Sequence, residues 1–277
     1  MKTRYAVSPR EYARMGTEEM LAAFLLEDLF APGEARLTYW ETDRTVVGGI
    51  VPTDRPLCLH SGPELDAAFF CQRREVGVIN LGAAGQVFVD GREFFLNPLD
   101  ALYVGRGAES VEFRSPSGAA QPAQFYLLSY PAHTAYPTTQ VTPDEAQRVE
   151  LGSPESANRR TLFRYIHEGG VRSCQLVMGC TRLATGSVWN TVPPHTHARR
   201  SEVYLYFDLP PEAAAFHFMG PGDETRHLVV RDRQAVLSPP WSIHAGCGTT
   251  AYAFVWGMGG ENQRFDDMDP VPVPLLR

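Results

Sequence analysis

Paired cysteines are missing from this chain. The five present, Cys58, Cys71, Cys174, Cys180 and Cys247, are odd in number and far apart, and no Cys-x-x-Cys occurs. That excludes a disulfide framework and a thiolate zinc ribbon, and it suits free thiols in a reducing cytoplasm. No run of about eighteen apolar residues is present, so no membrane-spanning helix is expected. The segment from Met1 to Val7 lacks the apolar stretch of a secretory signal. Positive charge is also in short supply. There are 25 Lys and Arg against 32 Asp and Glu, a net charge of −7. Neither nucleic acid nor an anionic membrane is an expected partner, and no helix-turn-helix segment is present. The sequence is 44% hydrophobic and 21% charged over 277 residues. This is the profile of a soluble globular protein with room for one large domain or two ordinary ones.

The spacing of Met20, Leu21, Phe24 and Leu25 predicts a helix over 17–26, with Thr17 as its cap. After Phe30 short apolar runs are cut by Gly, Pro and Asp, at 45–51, 76–81, 86–89, 94–96 and 124–128. Asp90-Gly91 between two of them predicts a hairpin. Residues 138–160 are polar. A second strand-rich stretch runs from about Cys174 to Met258. Many short strands with turn residues between them suggest a sandwich or barrel. The two halves read as a diverged repeat, with 96–107 set against 237–248 and Arg73–Val78 against Arg199–Tyr204. In that alignment Tyr103 stands where the second half has His244. The expected organisation is an N-terminal helical segment (1–29), a first barrel (30–137), a linker (138–165) and a second barrel (166–277).

The chemistry concentrates in the second half. His195 and His197 are two apart, so on an extended strand they project to the same side. Glu202 follows five residues after His197, the wrong parity for one unbroken strand. Residues 198–201 must therefore turn or bulge to return Glu202 to the same interior. Tyr204 and Tyr206 then share its face, while Val203, Leu205 and Phe207 face away. His244 follows Pro239-Pro240 at the start of the last hairpin. Three imidazoles and a carboxylate suit a divalent ion of the Zn, Fe, Mn, Co or Ni type with an open position for catalysis. His60, His133, His167, His217 and His227 lack such partners.

The His-x-His-x4-Glu spacing with a later Pro-rich strand ending in His resembles the cupin signature. Wider matches are closer still. Trp189–His197, Glu224–His227, Ser238–His244 and Trp256–Gln263 resemble the 5-keto-4-deoxyuronate isomerase family, as do Arg73–Asn80, Asp100–Gly105 and Val141–Glu145 in the first half. The resemblance implies a mainly β bicupin, two jelly-roll barrels with a few short helices, the first barrel metal-free. It implies one Zn2+ per chain held by His195, His197, Glu202 and His244, and a homohexamer. It also implies a uronate substrate in pectin breakdown, carrying an aldehyde at C1, a hydroxyl at C2 and a carboxylate at C6. Moving the carbonyl from C1 to C2 requires a proton to pass between two oxygens, through an enediolate or beside a hydride shift. Tyr204, Tyr206, Glu224 and Glu261 are the candidate shuttles. Arg199, Arg200, Arg159 and Arg160 are the candidates for the substrate carboxylate. No nucleotide or flavin is expected. The competing expectations are a 5-deoxy-glucuronate isomerase of inositol breakdown, a non-haem iron dioxygenase and a non-catalytic sugar-binding cupin.

Overall fold

Asp90 and Gly91 both adopt left-handed φ, 49° and 81°. They close a two-residue turn between Gly85–Val89 and Arg92–Leu96, which pair antiparallel from Val89↔Arg92 onward. This is the backbone twist that a tight hairpin needs. The computed structural model describes residues 1–118 and 120–277. In it nearly every apolar run of the sequence becomes such a strand, and the fold is of the cupin type.

Two compact units divide the chain. The first holds Met1–Arg4, Asp28–Ala146 and Tyr165–Val177, and the second holds Tyr5–Glu27, Gln147–Arg164 and Met178–Arg277. In the first, a seven-stranded sheet runs in the order Lys2–Arg4, Ala35–Trp40, Thr45–Ile50, Phe125–Pro131, Arg74–Asn80, Ala101–Val104, Thr139–Val141. A four-stranded sheet runs Leu57–Cys58, Val111–Arg114, Gly85–Val89, Arg92–Leu96. Alternate residues of both sheets, among them Val76, Val78, Leu102, Phe125, Val87, Leu96 and Phe113, form one buried core. That is how period-two side chains close a sandwich.

The second unit repeats this plan. Its seven-stranded sheet runs Gln147–Leu151, Arg160–Ile166, Val177–Leu183, Ala253–Gly260, Arg200–Phe207, Ala235–Ser238, Leu25–Leu26. Its four-stranded sheet runs Trp189–Asn190, Ile243–Gly248, Ala215–Gly220, Arg226–Val230. A further short pair joins His195–Thr196 to Asp269–Pro270.

Five expectations are corrected. The predicted linker contains Thr139–Val141, Gln147–Leu151 and most of Arg160–Ile166, all strands. The first two are polar edge strands, which backbone pairing specifies where side-chain burial does not, and Arg160–Ile166 lies inside its sheet with Leu162, Tyr165 and Ile166 buried. Residues 1–29 are no separate segment. Lys2–Arg4 extends the first unit's sheet, and Leu25–Leu26 extends the second's. The helix there spans Thr17–Phe24, and its N-cap is Gly16, whose N–H donates to Glu19 (2.7 Å), rather than Thr17. Ile243–Gly248 and Ala253–Gly260 lie in different sheets and form no hairpin. The repeat is also in a different register from the one expected. Tyr103 lies on Ala101–Val104, which pairs with the Glu75 strand as Ala235–Ser238 pairs with the Glu202 strand. Its counterpart region therefore carries Ser238, and the His244 strand corresponds to Val111–Arg114.

Candidate metal centre and its pocket

The strand Arg200–Phe207 is buried along its whole length, and its alternation sends Glu202, Tyr204 and Tyr206 into the second unit's interior. A turn at Ala198 and Arg199, closed by Arg200 N–H donating to His197 O (3.2 Å), provides the parity change that the spacing demands. From the other sheet, His244 projects toward the same point. The Nε2 of His197 and the Nε2 of His244 each lie 3.0 Å from Glu202 Oε2. The Nε2 of His195 lies 3.2 Å from that of His197 and 3.0 Å from that of His244. All four ligand atoms fall within 4.8 Å of one another, and among the described residues this is the one such group.

The donor set fits a divalent cation. Asp267 O can only accept, so at 2.8 Å it fixes the proton of His197 on Nδ1 and leaves the Nε2 lone pair aimed at the cluster. Burial, with His244 and His197 next, drives His195 down to about 2. Burial likewise lowers His244, against the pull of Glu202. Neutral imidazoles are the form that binds metal. Burial acts to raise Glu202, but the facing His244 and His197 outweigh it and hold the carboxylate well below its usual range. Three lone pairs and one carboxylate converging on a buried point are mutually repulsive unless a cation sits among them.

His195, His197, Glu202 and Tyr204 line a cavity of about 310 Å³. The rest of its wall is largely apolar, including Phe254, Trp256, Met258, Phe265 and Met268. Gly179 lets Trp256 lie against its strand, because a side chain there would run into the indole ring. Of the proposed carboxylate anchors, only Arg160 lines this cavity. Burial lowers its pKa, with Tyr204 and Tyr252 opposing. Arg199 is engaged elsewhere, its Nε 2.8 Å from Asp267 Oδ1 and its Nη2 3.2 Å from Asp269 Oδ1. Arg200, 1% exposed, donates to the carbonyls of Arg264, Phe265 (3.3 Å) and Asp267 (3.2 Å). Both arginines thus fasten the 264–269 loop that orients His197, and Arg159 is exposed and absent from the lining.

The four expected proton shuttles separate in the same way. Tyr204 lines the cavity, its ring centroid 5.4 Å from that of His244 and its hydroxyl 3.3 Å from Thr191 Oγ1. Burial first, and Glu202 second, hold its phenol protonated far above the ordinary range. Tyr206 lies behind it, its hydroxyl 2.8 Å from His217 Nδ1. Glu224 pairs with Arg226 at 3.2 Å on the surface, and Glu261 is exposed; neither lines the cavity. The sequence reading missed Thr191 and set His217 aside. His217 is fully buried, and burial lowers it to about 3. Its inward alternation with Ala215 and Met219 was the available signal.

The family model described as the KduI/IolB family matches residues 25–271. A 4-deoxy-L-threo-5-hexosulose-uronate ketol-isomerase of Kineococcus radiotolerans is 54% identical, covering 100% of both chains. One of the same name from Halalkalibacterium halodurans is 49% identical, again over 100% of both. Among solved structures, an IolB-like protein of Salmonella typhimurium superimposes with a TM-score of 0.69 at 14% identity, covering 87% of this chain and 94% of its own. An oxalate decarboxylase of Bacillus subtilis gives 0.59 at 10% identity, covering 87% and 78%. These two likenesses concern the fold.

Proposed function

The chain belongs to the KduI/IolB family of isomerases, and from that premise we propose that it is a zinc-dependent uronate ketol-isomerase. Its substrate is 5-dehydro-4-deoxy-D-glucuronate (4-deoxy-L-threo-5-hexosulose uronate) and its product 3-deoxy-D-glycero-2,5-hexodiulosonate, a step of pectin and uronate breakdown in the cytoplasm. The observation that carries this reading is the convergence of four ligand atoms, three of whose residues share the wall of one cavity with a cationic side chain, Arg160.

A zinc ion held by His195, His197, Glu202 and His244 supplies Lewis acidity without redox chemistry. The chain's own residues do the rest. Arg160 offers a two-pronged donor for the C6 carboxylate and so fixes which end of the sugar faces the centre. Tyr204, held protonated, donates a hydrogen bond to oxygen where negative charge develops, and Thr191 extends that donor pair. The hydroxyls can pass a proton between adjacent substrate oxygens. The apolar walls keep competing water from the reacting carbons. Arg199 and Arg200 act at one remove, as positioning residues for His197.

The 5-deoxy-glucuronate isomerase reading shares this site, and the IolB-like neighbour favours it in fold alone. The full-length relatives at 49–54% identity favour the first. Supplying each uronate to the zinc-loaded protein and following carbonyl migration by NMR separates them. Conversion of the 4-deoxy substrate with little turnover of the 5-deoxy one is the expected result. Oxygen uptake with Fe(II) would replace the proposal with a dioxygenase, and sugar binding without conversion would replace it with a binding module. A homohexamer is part of the proposal, and sedimentation of the purified protein tests it.

A further inference from the structure

A second cavity, of about 330 Å³, lies wholly within the first unit, the one without the ligand set. Four guanidinium groups line it, those of Arg44, Arg73, Arg74 and Arg106. None of the four is ion-paired to a carboxylate among the described residues. Glu64, the one acid on the wall, lies 3.1 Å from the amino group of Met1.

Neutral acceptors hold three of the four cations in place. Arg73 donates to the carbonyls of Leu65 (2.8 Å) and Asp66. Arg106 donates to Gln72 O (3.3 Å) and His133 O (2.9 Å). Arg74, 6% exposed, donates through Nε to Ser129 Oγ (3.0 Å) and through Nη2 to Ser129 O (2.7 Å) and Arg44 O (2.6 Å). Carbonyl contacts orient a guanidinium without cancelling its charge. Burial with no carboxylate beside it lowers Arg74 to about 10. Each guanidinium carries five N–H donors, and at least one nitrogen of each arginine is left without a protein acceptor among the described residues.

We propose that this cavity is a binding site for a small phosphate-bearing molecule. Four clustered cations, three of them held by protein acceptors, exceed what one carboxylate can answer, whereas a phosphate brings close to two negative charges and three acceptor oxygens. Arginine forks match that geometry better than lysine would. The cavity is larger than a bare phosphate, and Tyr39 and Phe70 on its wall offer an apolar surface to a carrier such as a sugar ring.

The test is calorimetric titration of the full-length protein at constant ionic strength with inorganic phosphate, a hexose 6-phosphate and galacturonate. One saturable site per chain for a phosphate probe is expected, with galacturonate much weaker. Tighter binding of the hexose phosphate would identify a phosphorylated metabolite as the ligand, and tighter inorganic phosphate would identify the free ion. Arg44→Gln and Arg73→Gln should each weaken binding at least about tenfold. Arg44 is exposed and its side chain holds nothing in the fold, so that variant should keep the wild-type melting temperature. His197→Ala should bind phosphate as wild type does. The proposal is overturned by no saturable phosphate binding up to about 10 mM, by affinities unchanged in both arginine variants, by equal affinity for galacturonate, or by loss of binding in His197→Ala.

Discussion

In the proposed reaction Arg160 and Tyr204 divide the work of the cavity, and the division can be measured. Arg160 is the one cation on the wall, and a substrate carboxylate is present equally in ground and transition states. Arg160→Gln should therefore raise KM by about tenfold or more, with a smaller loss in kcat. Tyr204 lines the cavity beside His244, and burial keeps its phenol protonated at neutral pH. Tyr204→Phe removes one hydroxyl and keeps the ring that stacks on Phe254, centroids 5.0 Å apart. Its kcat should fall about a hundredfold, with KM little changed and the fold intact. Steady-state kinetics of the two variants, side by side, checks the split. Legibility in the sequence was uneven at this scale. The four candidate ligands stood out because their spacing is one that metal geometry would impose, and the structure brings them together. Choosing Arg160 over Arg199 or Arg200 required knowing that Asp267 and Asp269, almost seventy residues on, occupy Arg199.

The loop around 262–270 is the element on which the centre depends most. Its carbonyl at Asp267 orients His197, its strand pairs with His195–Thr196, and Arg199 and Arg200 clamp it. Arg199→Gln should leave the ligands in place yet lower metal affinity about 10- to 100-fold, read by competition with a chelator. The clamp has a pH signature. The bonds from Arg199 and Asn262 hold the Asp267 carboxyl below its ordinary 3.8. A lowered folded-state pKa contributes stability in full above 3.8, which is lost as pH falls through the folded value. In metal-free protein, hydrogen exchange at Val271 should be slower in wild type than in Arg199→Gln at pH 7. The two should converge toward about pH 3 and below. A convergence already complete at pH 6 would contradict the clamp. Nothing in the local sequence marks this loop, since Asp, Arg and Asn there look like a solvated surface. The central strands were legible because burial enforces an alternation. The polar edge strands at 139–151 were not, because only their backbones are committed.

At the scale of the whole chain, one plan occurs twice and only one copy carries ligands. In the first unit Glu75 is fully buried, and its carboxylate accepts the Tyr103 hydroxyl (2.8 Å) and the N–H groups of Cys174 (2.6 Å), Gln175 (2.7 Å) and Leu176 (2.8 Å). Tyr103 and three peptide N–H groups thus satisfy this carboxylate, which lies on the face opposite the core-facing Val76 and Val78, and the strand position matching Glu202 carries Val76. Glu75→Gln should destabilise the protein by about 3 kcal/mol, seen in denaturant unfolding, because it turns amide hydrogens toward buried N–H groups. Bound metal should stay at one ion per chain. The repeat was legible in the match of Arg73–Val78 to Arg199–Tyr204, whereas the recurring Leu, Pro and Gly of 96–107 and 237–248 aligned strands that are not equivalent, because short matches leave the strand pairing undetermined. The central claim is that ketol isomerisation occurs at the His195, His197, Glu202 and His244 centre. The most direct measurement follows conversion of the 4-deoxy uronate by NMR with native, chelator-stripped and zinc-restored protein, each assayed for metal, with His197→Ala alongside. The account predicts turnover at one zinc per chain, loss on stripping, recovery on restoration and no recovery in His197→Ala. Full turnover by metal-free protein, or turnover only in the presence of oxygen, would contradict it.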